Sequence, residues 1–542
     1  MAADVKQIIL DNTYLSNQNS NWRSYHQALA SFCLPRKAWI DSIRPIGDRL
    51  KLGHLFDSTA MRSLRIMAAG FHSNLTNPAE RWCGIEAVEA ELMKSYEVKR
   101  WFYDTSERIY SVLNGSNFDT TIQEFYTSEG CFGTSCVSNF EDDDTTIRYG
   151  EIPIEQINIE DDMQGRTIAV YRNFKLTAIK AYIEWGQDAG KSVLEVYKDK
   201  PFTEFEFLHY VGPRYRRDVS KKDNLNMPFQ SVWIAKKDSH LIRESGFIDF
   251  PYVVGRFYKD SSDPFGFSPA MDAFPDITGV NAQKKTLIKA GMKHAAPAYD
   301  APSSGYLMPL NFNPDAINYR DPKMAPDQML RALPTGTGNL PITYEIIKGV
   351  QDEIKDHFFV PVFQSLSMVT KQMTVPEVQK RMSESMALLG GVVGRFTNEV
   401  HSPLIIRLFN LMYRNKMLAE MPAILQGKQF RVIYLSPLAK AQRESSLYSL
   451  DNFLTRVGQI AAVKPDALDK IDEDKTIDEI AKIEGINPEV IRDDKSVGEI
   501  RKRRQEATEM LQKIQMAQGG ADVMKTGAEA KKAGVEAQAA KQ

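Results

Sequence analysis

From Thr374 to Leu418 the apolar residues Val375, Val378, Met382, Met386, Leu389, Val393, Phe396, Val400, Leu404, Leu408 and Leu411 recur at steps of three and four, the spacing of one buried helical face. Thr374-Val375-Pro376-Glu377 marks its start, with Thr as N-cap, Glu as capping-box partner and Pro in the first turn, where no intrahelical N–H is lost. Such a helix spans roughly 65 Å at ~1.5 Å per residue, well beyond the usual globular helix. Two weak points interrupt it, Gly390-Gly391-x-x-Gly394 and Pro403, and each is a place where a long helix bends. The pattern fits a long core helix or a kinked spoke in a large assembly.

Earlier in the chain, Trp22, Tyr25, Leu29 and Phe32 share a helical face that Leu34-Pro35 ends. A second helix is expected from Ser58 to Leu75, capped by Asp57 or Ser58, with Leu64, Met67, Phe71 and Leu75 inward. A third is expected near Ala90 to Leu113, stacking Tyr96, Trp101 or Phe102, and Ile109, and closing at Asn114-Gly115. Beyond Glu129 the pattern shortens to β-like runs at 137–140, 145–149, 152–159 and 167–171, divided by the acidic turn Glu141-Asp142-Asp143-Asp144 and by Met163-Gln164-Gly165. A helix over Thr177 to Trp185 and strands near 204–211, 230–236 and 252–258 complete an α+β domain with a β-rich insert.

Ser268 to His294 is helical again, interrupted early by Pro275. Ala295 to Pro341 carries eight prolines, which excludes long helices and predicts a compact set of turns and short strands. Helix resumes from Tyr344 to Gln364, and Ser365 to Met373 forms a short polar, Met-bearing loop leading into the long helix. After Leu418 a strand at 430–435 precedes helices through Gly458, over 478–483 and over 496–516. The Ala, Gly, Lys and Gln composition from Ala517 onward cannot bury a core, so the tail is expected to be disordered alone or helical when bundled. The fold class is α+β, mainly helical, and no internal repeat is present.

With 542 residues, 43% hydrophobic and 25% charged, the chain is long enough for several domains of ordinary composition. The formal net charge of −2 argues against a generic nucleic-acid coat but leaves open DNA passing through a local channel. The sequence lacks a long uncharged apolar run and a signal-peptide layout, so the protein is expected to be made in cytoplasm with no membrane partner. Cys33, Cys83, Cys131 and Cys136 are too few for a disulfide framework, and with no completing ligands near Cys131 and Cys136 they read as buried thiols.

Enzymatic motifs fail on inspection. No phosphate-binding loop is present, and Gly336-Thr337-Gly338 lacks the Lys that would follow it. Gly266-Phe267-Ser268-Pro269-Ala270 approaches a nucleophile elbow, but Pro269 has no N–H for the oxyanion hole, so Ser268 reads as an N-cap with Pro269 at the first helical position. Asp472-Glu473-Asp474 fails as a calcium loop because Ile477 stands where Gly is needed. No cofactor, metal site or catalytic residue is expected.

Helix, Pro-rich segment, helix, short loop and long kinked helix, in that order, resembles the arrangement of phage portal proteins. Particular stretches are similar to the head-to-tail connector family of short-tailed phages: Trp22-x-x-Tyr25 with Phe32-x-Leu34-Pro35-Arg36; Phe56-Asp57-Ser58-Thr59-Ala60; Leu75-Thr76-Asn77-Pro78 with Arg81-Trp82; Gly266-x-Ser268-Pro269 to Leu287; and Met373-Thr374-x-x-Glu377-Val378 with Leu388-Leu389-Gly390. Phe267 departs from the more polar residue expected there, and the last hundred or so residues match less clearly.

The resemblance implies a portal fold, a homo-oligomeric, dodecameric ring around a central channel at one capsid vertex. By position, residues 1–265 and the long helix (374–430) form the wing, 266–294 and 344–364 the two stem helices, 295–343 the clip, 365–373 the tunnel loop, and 431–516 the crown, with 517–542 a flexible or barrel-forming tail. Double-stranded DNA passes through the channel, and terminase, a tail adaptor, major capsid and scaffolding proteins, and internal core proteins are the implied partners in the virion. Thr370, Lys371 and Gln372 in the tunnel loop would touch DNA, and no acid occurs there to oppose Lys371. Lys285, Lys289 and Lys293 fall at i, i+4 and i+8, and fit either a solvated face or stacked basic rings facing the channel. The competing classes are another virion ring or tail adaptor, and a virion-associated hydrolase.

Overall fold

The computed structural model describes residues 4–40, 52–221, 223–261, 263–300, 309–311, 317, 319, 322, 323, 325, 331, 332, 340–367, 389–435, 450–462, 464, 466, 470–484, 490–492 and 496–511. The chain divides into two compact units, one built from residues 1–84, 107–418 and 432–452 and the other from 85–106, 419–431 and 453–542.

The first unit begins with α1 (Val5–Gln18) and α2 (Ser20–Cys33), followed by α3 (Thr59–Leu75). Strand β1 (Cys83–Ala87) and helix α4 (Tyr96–Gly115), whose residues are divided between the two units, precede α5 (Phe118–Phe132). Ser58 occupies the N-cap position of α3 but makes no side-chain cap bond, and Asp57 before it supplies the acceptor instead, its Oδ1 taking the Thr59 N–H at 2.8 Å. Leu64, Met67, Phe71 and Leu75 are buried as the periodicity requires. The third expected helix begins at Tyr96 and not at Ala90, because residues 88–95 form turns and a short 3₁₀ segment at Leu92–Lys94.

Strands β2 (Thr134–Asp142), β3 (Thr146–Ile152) and β9 (Tyr252–Arg256) form an antiparallel sheet in the order β3-β2-β9. The β-rich insert is a second antiparallel sheet of β4 (Ile157–Asp161), β5 (Thr167–Thr177), β6 (Glu204–Pro213), β7 (Phe229–Ala235) and β8 (His240–Phe247), ordered as in the sequence. Its two faces are covered by different helices, as strand alternation dictates. Leu208, Val232 and Ile234 pack with Ile8 of α1, whereas Phe207, Phe205 and Ala235 pack with α6 (Ala178–Trp185) and α7 (Lys191–Val196). The insert is therefore a three-layer body.

Ser268 performs the capping role read from the sequence: its Oγ accepts the Met271 N–H at 3.1 Å, with Pro269 in the first turn of α8 (Pro269–Asp272). The same hydroxyl donates to the Cys131 carbonyl at 2.8 Å. Gly133, which ends α5 at φ +72°, lies so close to the preceding loop that a Cβ would stand 2.2 Å from the Gly266 oxygen. These contacts fix the entry to α9 (Phe274–Ala295), whose start carries Pro275.

Beyond α9, β10 (Tyr299–Asp300) pairs antiparallel with β11 (Arg331–Ala332). The returning helix α10 (Leu340–His357) ends at Phe358-Phe359, where Phe359 takes φ +56° and Phe358 is fully buried, and α11 (Val360–Ser367) follows. The single helix expected over Tyr344 to Gln364 is thus two.

The described part of the long helix consists of α12 (389–395), a π-helical turn over Phe396–His401, and α13 (Ser402–Arg414). In that turn the Ser402 N–H bonds to the Thr397 carbonyl, five residues back. Pro403 offers no N–H to Glu399, and its ring would press on that carbonyl in a regular helix, so the wider turn relieves both faults. Leu389, Phe396, Val400, Leu404, Leu408 and Leu411 are buried along one side. Arg407, also buried, holds α13 to the sheet by donating to the Asn139 carbonyl at 3.1 Å and to the Asp249 carbonyl at 2.5 Å.

In the second unit Arg431 of β12 (Phe430–Tyr434) donates from Nε to Glu86 at 2.6 Å. Trp101 and Phe102 pack against Phe430 with ring centroids 6.3 and 5.5 Å apart. Helices α14 (450–461), α15 (Glu473–Glu484) and α16 (496–511) complete it. Asp472, at the rejected calcium loop, caps α15 by accepting the Lys475 N–H at 3.2 Å.

Candidate DNA-channel interface

Helices α9 and α10 form an antiparallel pair: Asp276 near the start of α9 lies 3.8 Å from His357 at the end of α10, and eight residues along α9, Lys284 shares Asp57 with Gln351. Asn281 fastens this pair to the preceding segment. Its Oδ1 accepts the Phe56 N–H at 2.7 Å and the Asp57 N–H at 3.1 Å, while its Nδ2 donates to the His54 carbonyl at 2.9 Å.

Only the beginning of α9 is buried, through Ile277 and Val280. Past it Lys285, Lys289 and Lys293 are all exposed, and Lys285 lies over the Phe56 ring at 5.4 Å. Among the described residues neither Lys289 nor Lys293 takes part in an ion pair. Ile288 and Met292 on α9, with Ile342, Tyr344 and Ile346 on α10, are exposed as well. Thr370, Lys371 and Gln372 lie outside the described residues, so no contact between them and the α9 lysines is described.

Of the residues expected to bend the long helix, Gly391 and Gly394 line a cavity of about 930 Å³ together with the β4–β5 turn, Lys259 and Glu399. A Cβ at Gly390, Gly391 or Gly394 would meet nothing within 4 Å. Beneath the cavity lies a charged cluster that sequence inspection did not find. Buried Arg256 places Nη1 2.6 Å from Asp161 Oδ2 and Nε 3.7 Å from Glu399 Oε2, and Lys259 Nζ also lies 2.6 Å from Asp161 Oδ2. Burial pushes the Glu399 carboxyl above its ordinary value despite the nearby cations Arg256, Arg395 and Lys259. Its neighbour Glu129 is fully buried. The nearest sequence signal was a lone Arg256 closing an otherwise apolar strand.

All four cysteines are free and buried. Among the described residues no group of three or more His, Cys, Asp and Glu side chains could hold a metal, and no helix is long and apolar enough to cross a membrane.

An N-terminal helical body, a β insert, an antiparallel helix pair and a long helix broken by a π-turn follow one another along the chain. The sequence matches the family described as bacteriophage head to tail connecting protein over residues 6–491, and the chain belongs to that family. It is 30% identical over 536 residues to the portal protein of Salmonella phage epsilon15, covering 97% of this chain and 96% of that one. It is also 29% identical over 514 residues to a probable portal protein of Bordetella phage BPP-1, covering 94% and 92%. Its function is that of a phage portal, a structural component of the particle and not an enzyme.

Proposed function

We propose that copies of this chain form a dodecameric ring at one capsid vertex, with α9 and α10 as its stem and DNA moving through the centre during packaging and ejection. The observation that carries this reading is the helix pair itself. Its outer part exposes Ile288 at 39%, Met292 at 65%, Ile342 at 52%, Tyr344 at 62% and Ile346 at 52%, an apolar surface that neighbouring copies would cover. Lys285, Lys289 and Lys293 then repeat around the ring as belts of positive charge, and Thr370, Lys371 and Gln372 of the tunnel loop are further residues toward the DNA. Contacts of this kind are individually weak and many times replicated, which suits a duplex that must slide.

On this reading residues 1–265 with 374–430 form the wing, 295–343 the clip that meets terminase and later a tail adaptor, and 431–516 a crown toward the capsid interior. The wing faces major capsid and scaffolding proteins, with internal core proteins above the crown. The protein is made in the host cytoplasm and ends in the virion. Electron microscopy of the purified chain tests it: rings with a central hole wide enough for duplex DNA support the proposal, and particles that stay monomeric under assembly conditions overturn it.

A further inference from the structure

In α16, Arg501-Lys502-Arg503-Arg504 places four cations on consecutive positions, so that they reach around more than half the helix. All four are exposed. Arg501 is engaged, donating from Nη1 and Nη2 to Asp474 at 2.6 and 2.7 Å and so tying α16 to the start of α15. Among the described residues Lys502, Arg503 and Arg504 have no carboxylate partner. The chain as a whole has 68 Lys and Arg against 70 Asp and Glu, whereas Ser496 to Gln542 holds nine against six. The cluster is a local reversal of the protein's charge balance.

We propose that α16 is a docking site for the phosphate backbone of duplex DNA, separate from any contact made by α9. An acidic protein surface is met by one helical face and would be matched by cations spaced three and four apart. Consecutive cations point to both flanks of the helix instead, and a helix laid along a DNA groove has a phosphate strand on each flank. Arg503 and Arg504 add guanidinium forks that bind phosphate oxygens in pairs. Contacts of these cations to phosphate oxygens carry no sequence information, so the dock is insensitive to sequence. The inference takes its ligand from the portal reading, while the dock itself needs no channel.

Covalently closed circular duplex separates the two, because a closed circle cannot thread a ring. Binding of such a circle to the full-length protein is measured across a salt series, for the wild type, for K502Q/R503Q/R504Q and for R503K/R504K. Three phosphate contacts correspond to a slope of about −2.7 in log K against log salt, or about a 40-fold loss between roughly 50 and 200 mM. The neutral triple variant is expected to lose that much of the wild-type salt dependence, and the charge-keeping double variant to retain it. The proposal is overturned if the wild type leaves the circle unbound, if the triple variant binds it with wild-type affinity and slope, or if polyglutamate competes as well as duplex at equal charge. Packaging of linear DNA that persists beside any of these results leaves the portal reading standing.

Discussion

Lys284 Nζ lies 2.9 Å from Asp57 Oδ2, and through this pair the segment before α3 is tied to α9. The Asp57 side chain is only 4% exposed and also accepts from Gln351 Nε2 at 2.6 Å and from the Thr59 N–H at 2.8 Å. Burial alone would raise its pKa, but the hydrogen bonds from Lys284, Thr59 and Gln351 outweigh that and hold the carboxyl below its ordinary value.

Asp57→Ala is therefore expected to cost about 2–4 kcal/mol in urea unfolding, and Asp57→Asn less, since its amide oxygen still accepts from Thr59. A depressed folded pKa gives stability that is fully present above the unfolded value near 3.9 and is lost as pH falls through the lower folded value. The gap between wild type and Asp57→Asn should be complete at about pH 7 and shrink below about pH 4. A gap that stays constant through the acid range would mean that the charge of Asp57 does not stabilise the fold.

Gly391 and Gly394 make a second case, because the cavity beside them leaves room for a side chain. In a helix, Gly in place of Ala costs roughly 1 kcal/mol, and nothing inside the chain repays it here. Replacing each with Ala is expected to raise the subunit's unfolding free energy by up to about 1 kcal/mol. If the glycines serve the ring, the same variants should assemble poorly or package less DNA despite their greater stability. A loss of stability in the isolated subunit would show that the Cβ meets something inside the chain.

Much of this architecture was legible in the sequence wherever one face of an element is buried. Helix α3 shows the heptad-like apolar stripe and ends where expected, and Ser268 with Pro269 announced the start of α8. Helix α5 was not read from the sequence although Asp119, Thr120, Gln123, Glu124 and Thr127 form a polar face opposite Phe118, Ile122, Phe125 and Tyr126; its last turn, Ser128 to Phe132, is buried all round and blurs that period where the chain passes into β2. Strand β8 was hidden for the opposite reason, with most of its residues only partly buried. The π-turn could be anticipated only as a fault near Pro403. Its cause, a backbone clash relieved over the preceding turn, has no sequence period. The Arg256–Asp161–Glu399 cluster joins strands and helix far apart in the chain, and no local pattern records such a meeting.

Glu129 gives a prediction with the opposite pH sign. It is fully buried in α5, and neither carboxyl oxygen has a hydrogen-bond partner among the described residues. Burial pushes its pKa well above the ordinary value and Glu399 adds to this, while Arg395 and Arg256 pull it down without prevailing. A raised acid pKa penalises folding once pH exceeds the unfolded value near 4.3, so stability is lost as pH rises toward the folded value. Glu129→Gln, which keeps the shape without the proton equilibrium, should match the wild type at about pH 4 and exceed it at about pH 8 in urea midpoints. A variant less stable than wild type at the higher pH would show that an ionised Glu129 is held by the neighbouring arginines.

Charge reversal at Lys289 and at Lys371 tests whether α9 and residues 365–373 touch DNA as proposed. Lys289 is exposed on α9 with no ion-pair partner among the described residues, so charge reversal there breaks no internal contact and should leave rings intact under the electron microscope. The same substitution at Lys371 should also spare assembly if that loop faces the channel. If these side chains meet passing phosphates, each lost contact lowers the salt slope by about 0.9 per phosphate and is repeated in every subunit. Lys289→Glu and Lys371→Glu should therefore reduce the amount of DNA packaged or retained per particle severalfold, with the deficit smaller at high salt, where the wild-type attraction is already screened. A solvated surface lysine would give neither the deficit nor its salt dependence. Normal packaging and retention by both reversal variants would remove these residues from the channel wall, leaving ring formation to be explained by the apolar surface of α9 and α10 alone.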